Sequence, residues 1–153
     1  MKCEITGKEI TGKPLNKFRV IPKPKIDWTP VLILDFDGVI CDGEFIDEKT
    51  IIGNPVITNL SCDSIVYMRK MRKEKIPMVI FSCRNTSPNG VKTMKSWLIS
   101  HGLEEEIVHN VGFPTYKPYG VYIDDNCVQA LKYGVYFPTV EEVKNWLEKK
   151  KKC

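Results

Sequence analysis

Asp35 and Asp37 stand one residue apart at the end of the most hydrophobic stretch of the chain, VLILDFDGVICD at residues 31–42. Two carboxylates that close repel, and a carboxylate at the end of a buried strand needs partners. Residues i and i+2 of a strand share a face, so both acids point into one crevice. Gly38 follows them and allows a sharp turn and a close backbone approach to a ligand. Further along, Ser82, Cys83 and Arg84 follow the apolar run PMVIF, and Asp124 and Asp125 follow GVYI, with Lys117 shortly before in YKPYG. Gathered in one place, four carboxylates are tolerable only around a cation, and an all-oxygen donor set suits Mg²⁺. Lys117 adds a fixed positive charge that can hold an anionic group. Ser82 offers a hydroxyl, and the backbone N–H groups beside it can take phosphate oxygens. Of two neighbouring acids, one can attack while the other shuttles a proton. A carboxylate nucleophile beside Mg²⁺ implies an aspartyl-phosphate intermediate.

These residues need elements that bring them together. Short, continuous apolar runs predict strands over 31–36, 77–82, 106–110 and 120–124, with a further short one at 135–137. Amphipathic spacing predicts a helix over 61–75, capped by Ser61 or Asp63, with Ile65, Met68 and Met71 or Arg72 on one stripe. A second helix spans 90–102, with Val91, Met94 and Leu98 on one face and Gly102 as its stop. A third begins at Pro138–Thr139, where Thr139 and Glu142 form a capping box. Strands alternating with helices make an α/β protein whose parallel sheet is wound on both sides. Ligands of such sheets bind beyond the C-terminal strand ends, where the acids, Ser82 and Lys117 fall.

DFDGV, VIFS, a lysine and YIDD, in that order and in these strand contexts, resemble the four motifs of the haloacid dehalogenase superfamily of phosphohydrolases. The resemblance covers residues 31 to about 147. Its finer pattern, including FSCRN, GVKTMKSWL and FPTYKPYGVYIDDN, is similar to small phage-associated and bacterial members. The resemblance implies a Rossmann-like three-layer sandwich with a mostly parallel central sheet, and Mg²⁺ as cofactor. It implies Asp35 as nucleophile and metal ligand, and Asp37 as general acid and base with its carbonyl on the metal. Ser82, Cys83, Arg84 and Lys117 then bind the substrate phosphoryl group. Asp124 and Asp125 hold the metal, either of them being the direct ligand. Only CDGEFIDEKTIIGNPVITNL separates the first strand from the first helix, room for a flap and not for a cap domain.

The remaining composition sets bounds. The chain has 153 residues and a net charge of +4, enough for one domain with a core and mildly receptive to phosphorylated or nucleic-acid ligands. Residues 1–29 read as a basic extension or linker, with CEITGKEI as a degenerate zinc knuckle or a hairpin, and 30–153 as the phosphohydrolase domain. Positive charge also gathers in RKMRKEK at 69–75 and KKKK at 149–152. The chain opens without the apolar segment of a signal peptide and has no run long enough to span a bilayer, so a cytoplasmic protein with no membrane partner is expected. The six cysteines are scattered and read as reduced. The expected function is Mg²⁺-dependent hydrolysis of a phosphomonoester, with a nucleotide or nucleic-acid end as target class. The alternatives are a non-catalytic binding module and another reaction on the same scaffold, such as dehalogenation.

Overall fold

The computed structural model describes residues 29–125 and 134–152. The expected knuckle or hairpin around Cys3 lies outside them. The protein is α/β. Its sheet is open and all parallel, with three strands, β1 (Val31–Leu34), β2 (Met78–Ile80) and β3 (Gly120–Ile123), in the order β2-β1-β3. Leu32, Ile33 and Leu34 of the central strand have no exposed surface, so both of its faces are covered. Each such side chain contributes about 1.5–3 kcal/mol through burial. The pairing runs on past β1, where Asp35 N–H donates to the Ile123 carbonyl at 3.1 Å. The three strands therefore end side by side.

The helices are α1 (Ser64–Lys73), α2 (Pro88–Ser100), α3 (Glu105–Asn110) and α4 (Val140–Lys151). Of the two caps expected for α1, Asp63 serves, accepting from Val66 N–H at 2.9 Å. Ile65, Met68 and Met71 are its buried stripe, and Arg72 reaches Glu106 of α3 instead. The α2 helix starts earlier than its apolar spacing suggests, because Ser87 caps it and Pro88 takes the first turn. Met94, Trp97 and Leu98 are buried, and the Trp97 ring meets Phe36 edge-on at 5.3 Å, which locks α2 beside the DFD segment. The capping box of α4 is complete: Thr139 Oγ1 accepts from Glu142 N–H, and Glu142 Oε1 accepts from Thr139 N–H, both at 3.2 Å.

Two expected strands are absent among the described residues. Residues 106–110 lie in helix α3, not in a strand. Glu105 and Glu106 occupy its first turn and His109 its last, the charge order a helix dipole favours, and Ile107 and Val108 are buried as a helical pair. A two-residue apolar run cannot by itself distinguish the two periods. Strand-like pairing comes just after it, where Val79 and Gly112 bridge in parallel and Ile80 N–H donates to the Gly112 carbonyl at 2.9 Å. Residues 135–137 belong to no strand. The Asn59 side chain does a strand's work there, accepting from Phe137 N–H at 2.8 Å and donating to its carbonyl at 3.2 Å.

Between β1 and α1 the chain forms a flap, residues 42–54. Its neck is closed by Asp42 N–H on the Asn54 carbonyl at 2.9 Å and Asn54 N–H on Asp42 Oδ1 at 2.7 Å. Phe45, Ile46 and Ile52 are exposed on it. Among the described residues no helix is long and apolar enough to cross a membrane.

Candidate active site

The sheet delivers Asp35 directly after β1, Ser82 two residues beyond β2, and Asp124–Asp125 directly after β3. Carboxylate oxygens of Asp35, Asp124 and Asp125 lie within 4.8 Å of one another, close enough to share one metal ion. The approach depends on Gly38. Its φ is +85°, and a Cβ there would stand 2.1 Å from Asp125 Oδ2. Any side chain at that position would collide with the third acid of the cluster. The tight contact made at Gly38 is with Asp125.

Burial pushes the Asp35 carboxyl up from an ordinary 3.8 to about 7. Its hydrogen bond from Phe36 N–H, 2.7 Å long, opposes the shift, while the negative neighbours Asp124 and Asp125 add to it. Asp125 is also raised, by burial first and then by Asp124. The hydrogen bond between Asp35 and Asp125 favours Asp35 as the holder of the proton. A partly buried cluster of three acids that offers carboxylate oxygens fits a hard divalent cation.

Asp37 has a different environment. Its two oxygens accept from Arg84 Nε and Nη2, each at 2.9 Å, in a forked pair. Arg84 Nη1 donates to the carbonyls of Asp47 and Thr50 at 2.8 and 3.2 Å, and the arginine side chain has no exposed surface. The sequence expectation for Arg84 is a substrate-binding role; in the structure each of its three guanidinium nitrogens donates to Asp37 or to the flap.

Ser82 caps the 3₁₀ turn Cys83–Thr86, its Oγ accepting from Arg84 N–H at 3.2 Å. It is buried, and with Asp35, Cys83, Thr86, Thr115 and Asp124 it lines a cleft of about 340 Å³. Cys83 is exposed at this cleft. Lys117 is exposed and stands 5.4 Å from the Tyr122 ring centre, and the residues lining the cleft do not include it. The positive charge that meets an acid of the DFD segment is therefore Arg84's.

Sequence reasoning missed Asn85. Its Nδ2 donates to the carbonyls of Ile80 and Pro114 at 2.7 and 2.8 Å, tying the end of β2 to the loop that carries Thr115. An asparagine after a strand resembles any turn residue, so no signal marked it. The Arg84–Asp37 pair did leave one: a lone cation close behind a buried strand, in a site with surplus acids. Comparison of the chain with protein-family models, with curated proteins and with solved structures finds no match.

Proposed function

We propose that this chain is a Mg²⁺-dependent phosphohydrolase of the haloacid dehalogenase type, acting on a phosphomonoester through an aspartyl-phosphate on Asp35. The observation that carries the reading is the meeting of Asp35, Asp124 and Asp125 at the C-terminal end of a parallel sheet, two of them, Asp35 and Asp124, lining one cleft with Ser82. Asp35, Asp124 and Asp125 would hold the cation, which when bound supplies positive charge against the phosphate oxygens and returns Asp35 to its nucleophilic, charged form.

The residues then divide the work. An Asp35 oxygen forms a bond to phosphorus, and the ester P–O bond breaks with its electron pair on the leaving oxygen. For Asp37 to give that oxygen a proton it must enter the step protonated, with one of its oxygens released from the Arg84 fork. In the second half Asp37 takes a proton from water, whose oxygen attacks phosphorus, frees inorganic phosphate and restores the Asp35 carboxylate. Ser82 donates its hydroxyl hydrogen to a phosphoryl oxygen while still accepting from Arg84 N–H. A phosphoryl contact from Lys117 requires its side chain to turn from the Tyr122 ring toward the cleft wall, where Thr115 stands two positions earlier.

Nucleotides are the first substrates to test. Two of the five basic side chains of the tract at 69–75 are paired, Arg69 with Glu104 at 2.8 Å and Arg72 with Glu106 at 3.5 Å. If the basic extension at 1–29 attracts a polynucleotide, the binding should weaken with salt and be lost on its deletion. The direct test of activity is hydrolysis of p-nitrophenyl phosphate. Turnover that needs Mg²⁺, stops with EDTA and disappears in Asp35→Asn supports the reading. Turnover that survives either treatment contradicts it, and phosphate binding without turnover leaves a binding module.

A further inference from the structure

Arg84 is the largest of the fully buried side chains among the described residues. A guanidinium is tolerated in such a place only if its donors are satisfied. Here they are divided between two parts of the molecule. Nε and Nη2 grip Asp37, and Nη1 holds the flap by the carbonyls of Asp47 and Thr50. The Phe45 ring, also on the flap, covers the guanidinium at 4.7 Å. The carbonyls are presented by a local turn, in which Asp47 Oδ1 accepts from Lys49 N–H at 2.8 Å and Asp47 Oδ2 from the Thr50 hydroxyl at 3.2 Å. On the other side of Arg84, α2 comes so close that a Cβ on Gly90 would stand 2.1 Å from the Arg84 carbonyl. The arginine backbone is thus held closely against α2.

We propose that Arg84 is a positioning residue, a clasp through which the seating of flap 42–54 sets the orientation of Asp37, and through which Asp37 in turn holds the flap. Such coupling is reciprocal: whatever loosens one end loosens the other. It needs the planar fork of arginine, since a lysine ammonium has three donors on one atom and cannot make the forked pair to Asp37 together with the two carbonyl bonds. The kinetic side of this inference rests on the phosphohydrolase reading, and its structural side does not.

Two measurements on the full chain test it, amide hydrogen exchange over residues 42–54 and hydrolysis of esters with different leaving groups. Asp37→Asn changes nothing within the flap, yet exchange there is expected to rise about tenfold or more beyond any rise at the β1–β3 amides, which follow the global loss of stability. Arg84→Lys is expected to do the same. It should also lower kcat/KM, which reports the transfer of the phosphoryl group to Asp35 and not the later attack of water, on the order of 100-fold for an alkyl phosphate, the worth of a well-placed general acid. For p-nitrophenyl phosphate the loss in kcat/KM should stay under about threefold, because nitrophenolate departs without a proton. If Arg84→Lys does not fold, Phe45→Ala carries the test, with the same leaving-group pattern at smaller amplitude. Equal losses on both esters, or flap exchange unchanged by Asp37→Asn, would overturn the clasp. A wild-type protein that hydrolyses neither ester defeats the phosphohydrolase reading, and flap exchange then decides the clasp alone.

Discussion

Asp35 and Asp37 share a segment and a residue type, but the fold treats them oppositely. Asp35 faces two more acids, and burial with those neighbours pushes it up to about 7. Asp37 faces a buried arginine that matches it oxygen for nitrogen. Among the described residues, one carboxylate meets two further acids and the other a guanidinium. On the proposed reading the first would share a cation and take up the phosphoryl group, while the second is held in place by Arg84.

The same substitution at both positions should therefore have opposite effects on stability. Asp37→Asn leaves the Arg84 guanidinium buried without its counter-charge, and we expect a loss of about 3 kcal/mol in chemical denaturation. Gly38→Ala drives a methyl group into Asp125 at a positive φ, so a loss of about 2 kcal/mol and a weaker Mg²⁺ response in calorimetry are expected. Asp35→Asn should stabilise the metal-free protein at pH 8. The folded-state value of Asp35 is raised, so the stability tied to its proton is fully present below the ordinary carboxylate range and lost as pH rises through about 7. Wild-type stability in EDTA should fall over that window. The variant should lack the fall and gain ~1–2 kcal/mol, less than the full shift because the carboxylate is partly open to solvent. At the small end, Arg69→Ala removes an exposed pair and should cost under about 0.5 kcal/mol. If Asp35→Asn and Asp37→Asn were equally destabilising in EDTA at pH 8, the contrast between the two acids would be broken.

Much of this was legible in the sequence. The acids at 35, 124 and 125 and the serine at 82 follow apolar runs, and a parallel sheet brings such positions to one edge whatever the exact strand lengths. The Thr139 box was readable because a cap is a local arrangement of four residues. Residues 106–110 were not, since their apolar pair fits either period and the acids ahead of it decide for helix. The partner of Asp37 was not legible either. Arg84 lies far from it in sequence, and only the close approach of α2 and the flap turns that guanidinium inward. Lys117 was read as the site's fixed charge because its place in the chain is right, but in the structure its ammonium lies over Tyr122.

The central claim is that Asp35 takes up the phosphoryl group. It is tested most directly by quenching turnover of a ³²P-labelled phosphomonoester in acid and mapping the labelled peptide. The account requires base-labile label on the peptide that carries residues 31–42, and none in Asp35→Asn. Label on Ser82 or Cys83, or steady turnover with no labelled peptide at any quench time, would contradict it.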